Sequence, residues 1–188
     1  MYYEEIPELS MTFWIATTAF IATNVDDLFL LSLWFVKRTR FSTVLLGQLA
    51  GFSGILLLSL VGYWGVRLLP QSYVHWLGFA PIAIGIKQLI STSDKVSRVQ
   101  AESVWNVAAV TFANGSDNLA VYIPLFGRYS PSRVALIVII FYLLLFLYVI
   151  GTNVATSRIK QSDKAHSLAH RIAPIVIIGI GLVILLSQ

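Results

Sequence analysis

Three aspartates, Asp26, Asp27 and Asp117, lie inside the most apolar parts of this chain, within ATNVDDLFLLSLWF from Ala22 and ANGSDNLAVYIPLF from Ala113. Helical spacing puts Thr23, Asn24 and Asp27 on one face, and gives Asn114 a face shared with Asp117 and Asn118. Asp26 lies about 100° around its helix from Asp27. Crossing two such helices would gather carboxylate, amide and hydroxyl oxygens, the ligands that hard divalent cations prefer. Two or three carboxylates would also neutralise a divalent charge. The candidate metal ligands are therefore Asn24, Asp26, Asp27, Asn114, Asp117 and Asn118. An aspartate at the centre of a spanning helix costs about 2.5–3.5 kcal/mol, so three without partners cost roughly 7–10 kcal/mol. The competing reading is that the amides and hydroxyls only join helices, with Asp26 paired to a base such as Lys87.

The elements that carry these residues are membrane helices. Of 188 residues, 57% are hydrophobic and 12% charged, about half the charge of an ordinary soluble domain. Mean hydropathy is +0.78. Six apolar runs each approach the roughly 20 residues that a spanning helix needs. They are about Met11–Val36, Val44–Leu68, Tyr73–Ile90, Trp105–Phe126, Arg133–Val154 and Ala169–Leu186. The expected fold is all-α, a single transmembrane domain over 1–188 with six spans. The first apolar run is too long for a signal-peptide core and follows an acidic segment, so it is expected to stay as a span. Lys37, Arg38, Arg40, Lys95, Arg98, Arg158, Lys160 and Lys164 fall in the first, third and fifth links. That bias places these links in the cytoplasm, with both termini outside.

The two halves echo each other. Without gaps, Ala22, Asp26, Leu28 and Phe35 align on Ala113, Asp117, Leu119 and Phe126. A shift of one residue instead pairs Asn24 with Asn114 and Asp27 with Asp117, and both registers stand. A second echo joins His75 and APIAIG to His166 and APIVIIG. Three spans per half invert one copy relative to the other, so the expected plan is two inverted three-helix repeats, about 10–92 and 104–187. The Asn114-Gly115-Ser116 run is a poor helix former and predicts a break that frees backbone carbonyls as further ligands.

Several classes are excluded or bland. The chain has no cysteine, hence no thiolate ligand or thiol catalysis. No catalytic or nucleotide-binding motif appears, so neither an enzyme nor a resident cofactor is expected, and any pumping draws on ion gradients. The scattered basic residues argue against nucleic acid. The expected partners are a divalent metal cargo and the lipid bilayer, with a homo-oligomer left open. Lys87 is the one basic residue well inside an apolar run; it either snorkels to the interface or serves as a counter-ion to the acids. His75, His166 and His170 sit at span ends and read as interfacial. Gly47 and Gly51 fit small-residue helix packing, and Pro81, Pro124 and Pro174 fit kinks.

These residues resemble the cadmium-resistance transporter family (CadD-like) of the LysE superfamily, along nearly the whole chain. GSDNLAVYIPLF from Gly115 looks like its Gly-x-Asp-Asn signature, ATNVDDLFLLSLWF like its first-span acidic motif, and PIAIGIK, ending at Lys87, like a third-span motif. The resemblance implies a six-span inner (plasma) membrane protein that exports divalent metal, with Asp26 or Asp27 and Asp117 with Asn118 carrying the site; the expected mechanism is alternating access, the two three-helix halves rocking around that site. It departs at Ala113-Asn114, where some relatives carry a cysteine. An all-oxygen site has less reason to prefer soft cadmium, which leaves manganese, calcium and zinc beside it. Two alternatives remain: export of small organic cations such as basic amino acids, and a non-transporting sensor or assembly protein.

Overall fold

The computed structural model describes residues 5–25, 27–70, 73, 75–90, 103–158 and 163–186, with the backbone alone at 5–8, 75, 88, 157–158 and 163–173. Among the described residues every element is helical. In chain order they are α1 (Glu5–Asn24), α2 (Asp27–Val36), α3 (Phe41–Arg67), a short 3-10 turn (His75–Gly78), α4 (Phe79–Ile90), α5 (Val104–Asn114), α6 (Ser116–Gly127), α7 (Pro131–Arg158) and α8 (Asp163–Leu186).

The helix ends follow local chemistry. Ser103 caps α5, its hydroxyl accepting from the Asn106 N–H at 3.2 Å. Pro81 stands in the first turn of α4, where its missing N–H costs nothing. α2 closes with Arg38 at φ 60°. The Arg38 N–H bonds the Phe35 carbonyl at 2.9 Å and the Thr39 N–H bonds the Trp34 carbonyl at 3.0 Å. This is the paired closure that usually employs glycine.

The long unbroken helices α3 and α7 flank the broken ones. α3 packs on α5 and α6, while α7 packs on α1 and α2. Glycines on α3 make the first contact close. A Cβ on Gly51 would lie 2.6 Å from the Ala108 carbonyl oxygen, and one on Gly54 2.9 Å from the Phe112 ring. Gly47 is just as tight against Val107. The glycines expected to serve helix packing therefore do so. α3 and α5 run parallel, because later residues of one meet later residues of the other. α4 and α8 run antiparallel through a second glycine seam: Gly78 lies against the Gly181 carbonyl and Gly85 against the Pro174 carbonyl. An aromatic core of Phe20, Phe52, Tyr122, Phe126 and Phe141 fills the space between α1, α3, α6 and α7.

The outer surface is apolar. Trp105 is 78% exposed, Val61 69% and Ile139 65%, which suits lipid rather than water. By length and composition, Phe41–Arg67 and Pro131–Thr156 are each able to cross a membrane alone. A third crossing is made if α1 and α2, bent by 64°, count as one span. The six expected spans are thus met in part. Breaks interrupt the first and fourth runs, the third contains the shorter apolar helix Trp76–Lys87, and the sixth is carried by α8, whose described side chains, Pro174–Leu186, are apolar.

Candidate metal site

Both acidic motifs sit where a helix is interrupted. The first run breaks after Asn24 and resumes at Asp27; the second breaks at Gly115 and resumes at Ser116. Asp27 is then the first residue of α2 and Asp117 the second of α6. A break inside an apolar segment creates a new helix N-terminus there, and its exposed N–H groups and dipole favour a carboxylate, typically by about 0.3–1 kcal/mol. Buried carboxylates and helix breaks are in this way one feature. Both side chains are nearly enclosed, Asp27 at 8% exposure and Asp117 at 4%.

The glycine at this break has a steric reason. Its φ of −74° and ψ of 17° are open to any residue, but a Cβ there would run into the Ile55 side chain on α3. The backbone stays paired through the break. The Gly115 N–H bonds the Phe112 carbonyl at 3.2 Å, and the Leu119 N–H bonds the Gly115 carbonyl at 3.1 Å. At the first break the Tyr148 hydroxyl on α7 donates to the Asn24 carbonyl at 2.8 Å. The break predicted from the sequence is present, but the carbonyls of Phe112 and Asn24 are engaged by the protein itself.

The motifs meet across the halves. Asn114 Nδ2 donates to Asp27 Oδ1 at 3.1 Å. Asp117 Oδ1 accepts from the Asn118 backbone N–H at 3.0 Å. Asn24 Nδ2 donates to the Phe20 carbonyl at 2.8 Å, to Thr23 Oγ1 at 3.1 Å and to the Tyr122 hydroxyl at 3.2 Å. Thr23 Oγ1 lies 2.9 Å from that same hydroxyl. The Asn118 amide fits its surroundings when its nitrogen faces the acceptors. It then donates to the Thr23 carbonyl at 3.1 Å and to Asp117 Oδ1 at 3.2 Å, and its oxygen accepts from Tyr122 at 3.2 Å.

Of the predicted residues, Asn24, Asp27, Asn114, Asp117 and Asn118 come together at the two breaks, and Asp26 lies outside the described residues. Lys87 is exposed on α4 with no ion pair to Asp27 or Asp117, the placement expected of a snorkelling lysine. The side chains of His75, His166 and His170 are outside the described set. Among the described residues no cluster of three His, Cys, Asp or Glu side chains forms; the donors are two carboxylates with amides and hydroxyls. Sequence reasoning missed Tyr122 and Tyr148. The signal for Tyr122 was its spacing of four residues after Asn118, which puts both on one face of α6. Tyr148 had none, because its role depends on how α7 meets the end of α1.

A family model described as "Cadmium resistance transporter" matches residues 20–188, from within α1 to the end of the chain. The chain belongs to the cadmium resistance transporter family. Comparison with curated proteins and with solved structures gives no match. The family suggests metal-ion export, and with the apolar helices it suggests a membrane protein rather than an enzyme.

Proposed function

We propose that this cadmium resistance transporter family member is a secondary exporter of divalent metal cations, with cargo held by Asp27 and Asp117 and by amide oxygens of Asn24, Asn114 and Asn118. Asp26 is the further carboxylate of the set. The observation that carries the reading is the Asn114–Asp27 bond, which joins one interrupted helix to the other at the two buried acids. Two carboxylates balance one divalent charge, and interrupted helices are where secondary transporters place their sites.

Six spans arranged as inverted repeats are part of the same proposal. The packing supports it, because the contacts are reciprocal: α3 against α5 and α6 in one direction, α7 against α1 and α2 in the other. The last helix of each half, α4 and α8, pair antiparallel, as inverted copies require. Asn24 and Asn114 both end a helix, which favours the register that pairs them and sets Asp27 opposite Asp117. The basic links support a plasma-membrane protein with both termini outside, and alternating access follows if the halves rock about the site.

The test is Asp117→Asn in membrane vesicles. Cadmium, manganese and zinc efflux is expected to be lost while insertion and expression stay at the wild-type level. Full efflux by this variant overturns the assignment.

A further inference from the structure

Tyr122 is fully buried, touches both interrupted helices and is no candidate ligand itself. Its ring is held by α7 and α3, with Phe141 at 4.5 Å and Phe52 at 6.3 Å between centroids. Its position is therefore set by packing, and its hydroxyl is delivered to a fixed point between Thr23, Asn24 and Asn118.

A tyrosine hydroxyl donates once and accepts twice. Asn24 can only donate to it, through Nδ2. With the Asn118 amide turned to satisfy Asp117 and the Thr23 carbonyl, the single tyrosine proton goes to Asn118 Oδ1. Thr23, whose hydroxyl proton also reaches the Ala19 carbonyl at 3.0 Å, is the remaining neighbour at 2.9 Å. Consequently the Asn118 amide oxygen, a candidate ligand, is occupied by Tyr122 in this structure. The Asn24 amide differs: its nitrogen is committed to Phe20, Thr23 and Tyr122, and its oxygen is the end left for a cation.

Building on the export reading above, we infer that Tyr122 is a positioning residue that competes with the cargo for the Asn118 amide oxygen. A cation that takes this oxygen competes with the tyrosine proton for its electron density and loosens that hydrogen bond. The return of that proton then weakens the cation's hold and helps to expel it. Tyr122 thereby lowers affinity and raises turnover. A residue that only supported the fold would, on removal, weaken both.

The experiment measures cadmium affinity by calorimetry on purified protein and cadmium efflux from vesicles, for the wild type, Tyr122→Phe and Tyr122→Phe/Asn118→Ala. Phenylalanine keeps the ring packing and deletes the competitor. Affinity is expected to rise about threefold to tenfold, the worth of one hydrogen bond, while maximal efflux falls. The gain is expected to vanish in the double variant. In the wild type, cadmium is expected to produce an infrared difference band from a tyrosine C–O stretch, a reading that needs no variant to fold. Wild-type protein that binds and exports cadmium without that band overturns the inference alone. So does Tyr122→Phe with affinity and efflux unchanged or both reduced. Wild-type protein that binds no cadmium, manganese or zinc overturns the export reading, and this inference with it.

Discussion

Replacing Gly115 with alanine tests whether glycine is required at the second break by space or by backbone conformation. In a helix interior alanine is favoured over glycine by about 1 kcal/mol, and φ −74° gives it no conformational penalty. Against this, the new Cβ meets Ile55, which is 1% exposed and has little room to yield. Overpacking of this kind costs about 1–3 kcal/mol, so Gly115→Ala is expected to be neutral to destabilising by about 2 kcal/mol. Ile55→Ala removes the atoms that would be struck, at its own cost of about 2–5 kcal/mol. In that background the clash is gone and only the helix preference remains, so Gly115→Ala is expected to stabilise by up to about 1 kcal/mol. The coupling in a double-mutant cycle should therefore be about 1–3 kcal/mol, the size of the clash. Denaturant unfolding of the detergent-solubilised protein, followed by circular dichroism, measures all four forms. If alanine at 115 has the same effect with and without the Ile55 side chain, the steric account of Gly115 is wrong.

Asn114→Ala removes the donor to Asp27 Oδ1 and leaves a buried carboxylate with one partner fewer. The metal-free protein is expected to lose about 1–3 kcal/mol, read by thermal unfolding. Arg38→Gly relieves a left-handed backbone position and is expected to add about 1 kcal/mol to stability by the same measurement. Because Arg38 belongs to the basic first link, that gain should be accompanied by a weaker orientation bias in a topology reporter assay.

Much of the fold was legible because apolar runs and their polar links are a strong, one-dimensional signal. The third and sixth runs, expected from about Tyr73 and Ala169, correspond to α4 and α8, and the glycines of α3 face α5 as their spacing suggested. The break at Gly115 was legible from Asn-Gly-Ser. The break before Asp27 was not, since Val25 and Asp26 carry no glycine or proline. The gathering of Asn24, Asp27, Asn114, Asp117 and Asn118 could be anticipated from two motifs in two halves. What escaped was the use of the partners. At the second break the Phe112 carbonyl is held by the Gly115 N–H, a local turn, and at the first the Asn24 carbonyl is held by Tyr148, which depends on how helices cross. Lys87 is exposed on α4, and a base within an apolar run leaves both the anchor and the counter-ion readings open.

The seam between α4 and α8 has a mechanical consequence. At Gly78, Gly181 and Gly85 the two backbones come together, and the side chains of Ile82, Ile178 and Leu185 fill the hollows that the glycines leave. Such a surface is interlocked by aliphatic groups and resists sliding as well as separation. The aromatic core around Tyr122 is a second keyed joint, whose rings interlock on several sides. A methyl group added at Gly85 or Gly181 would therefore part α4 from α8.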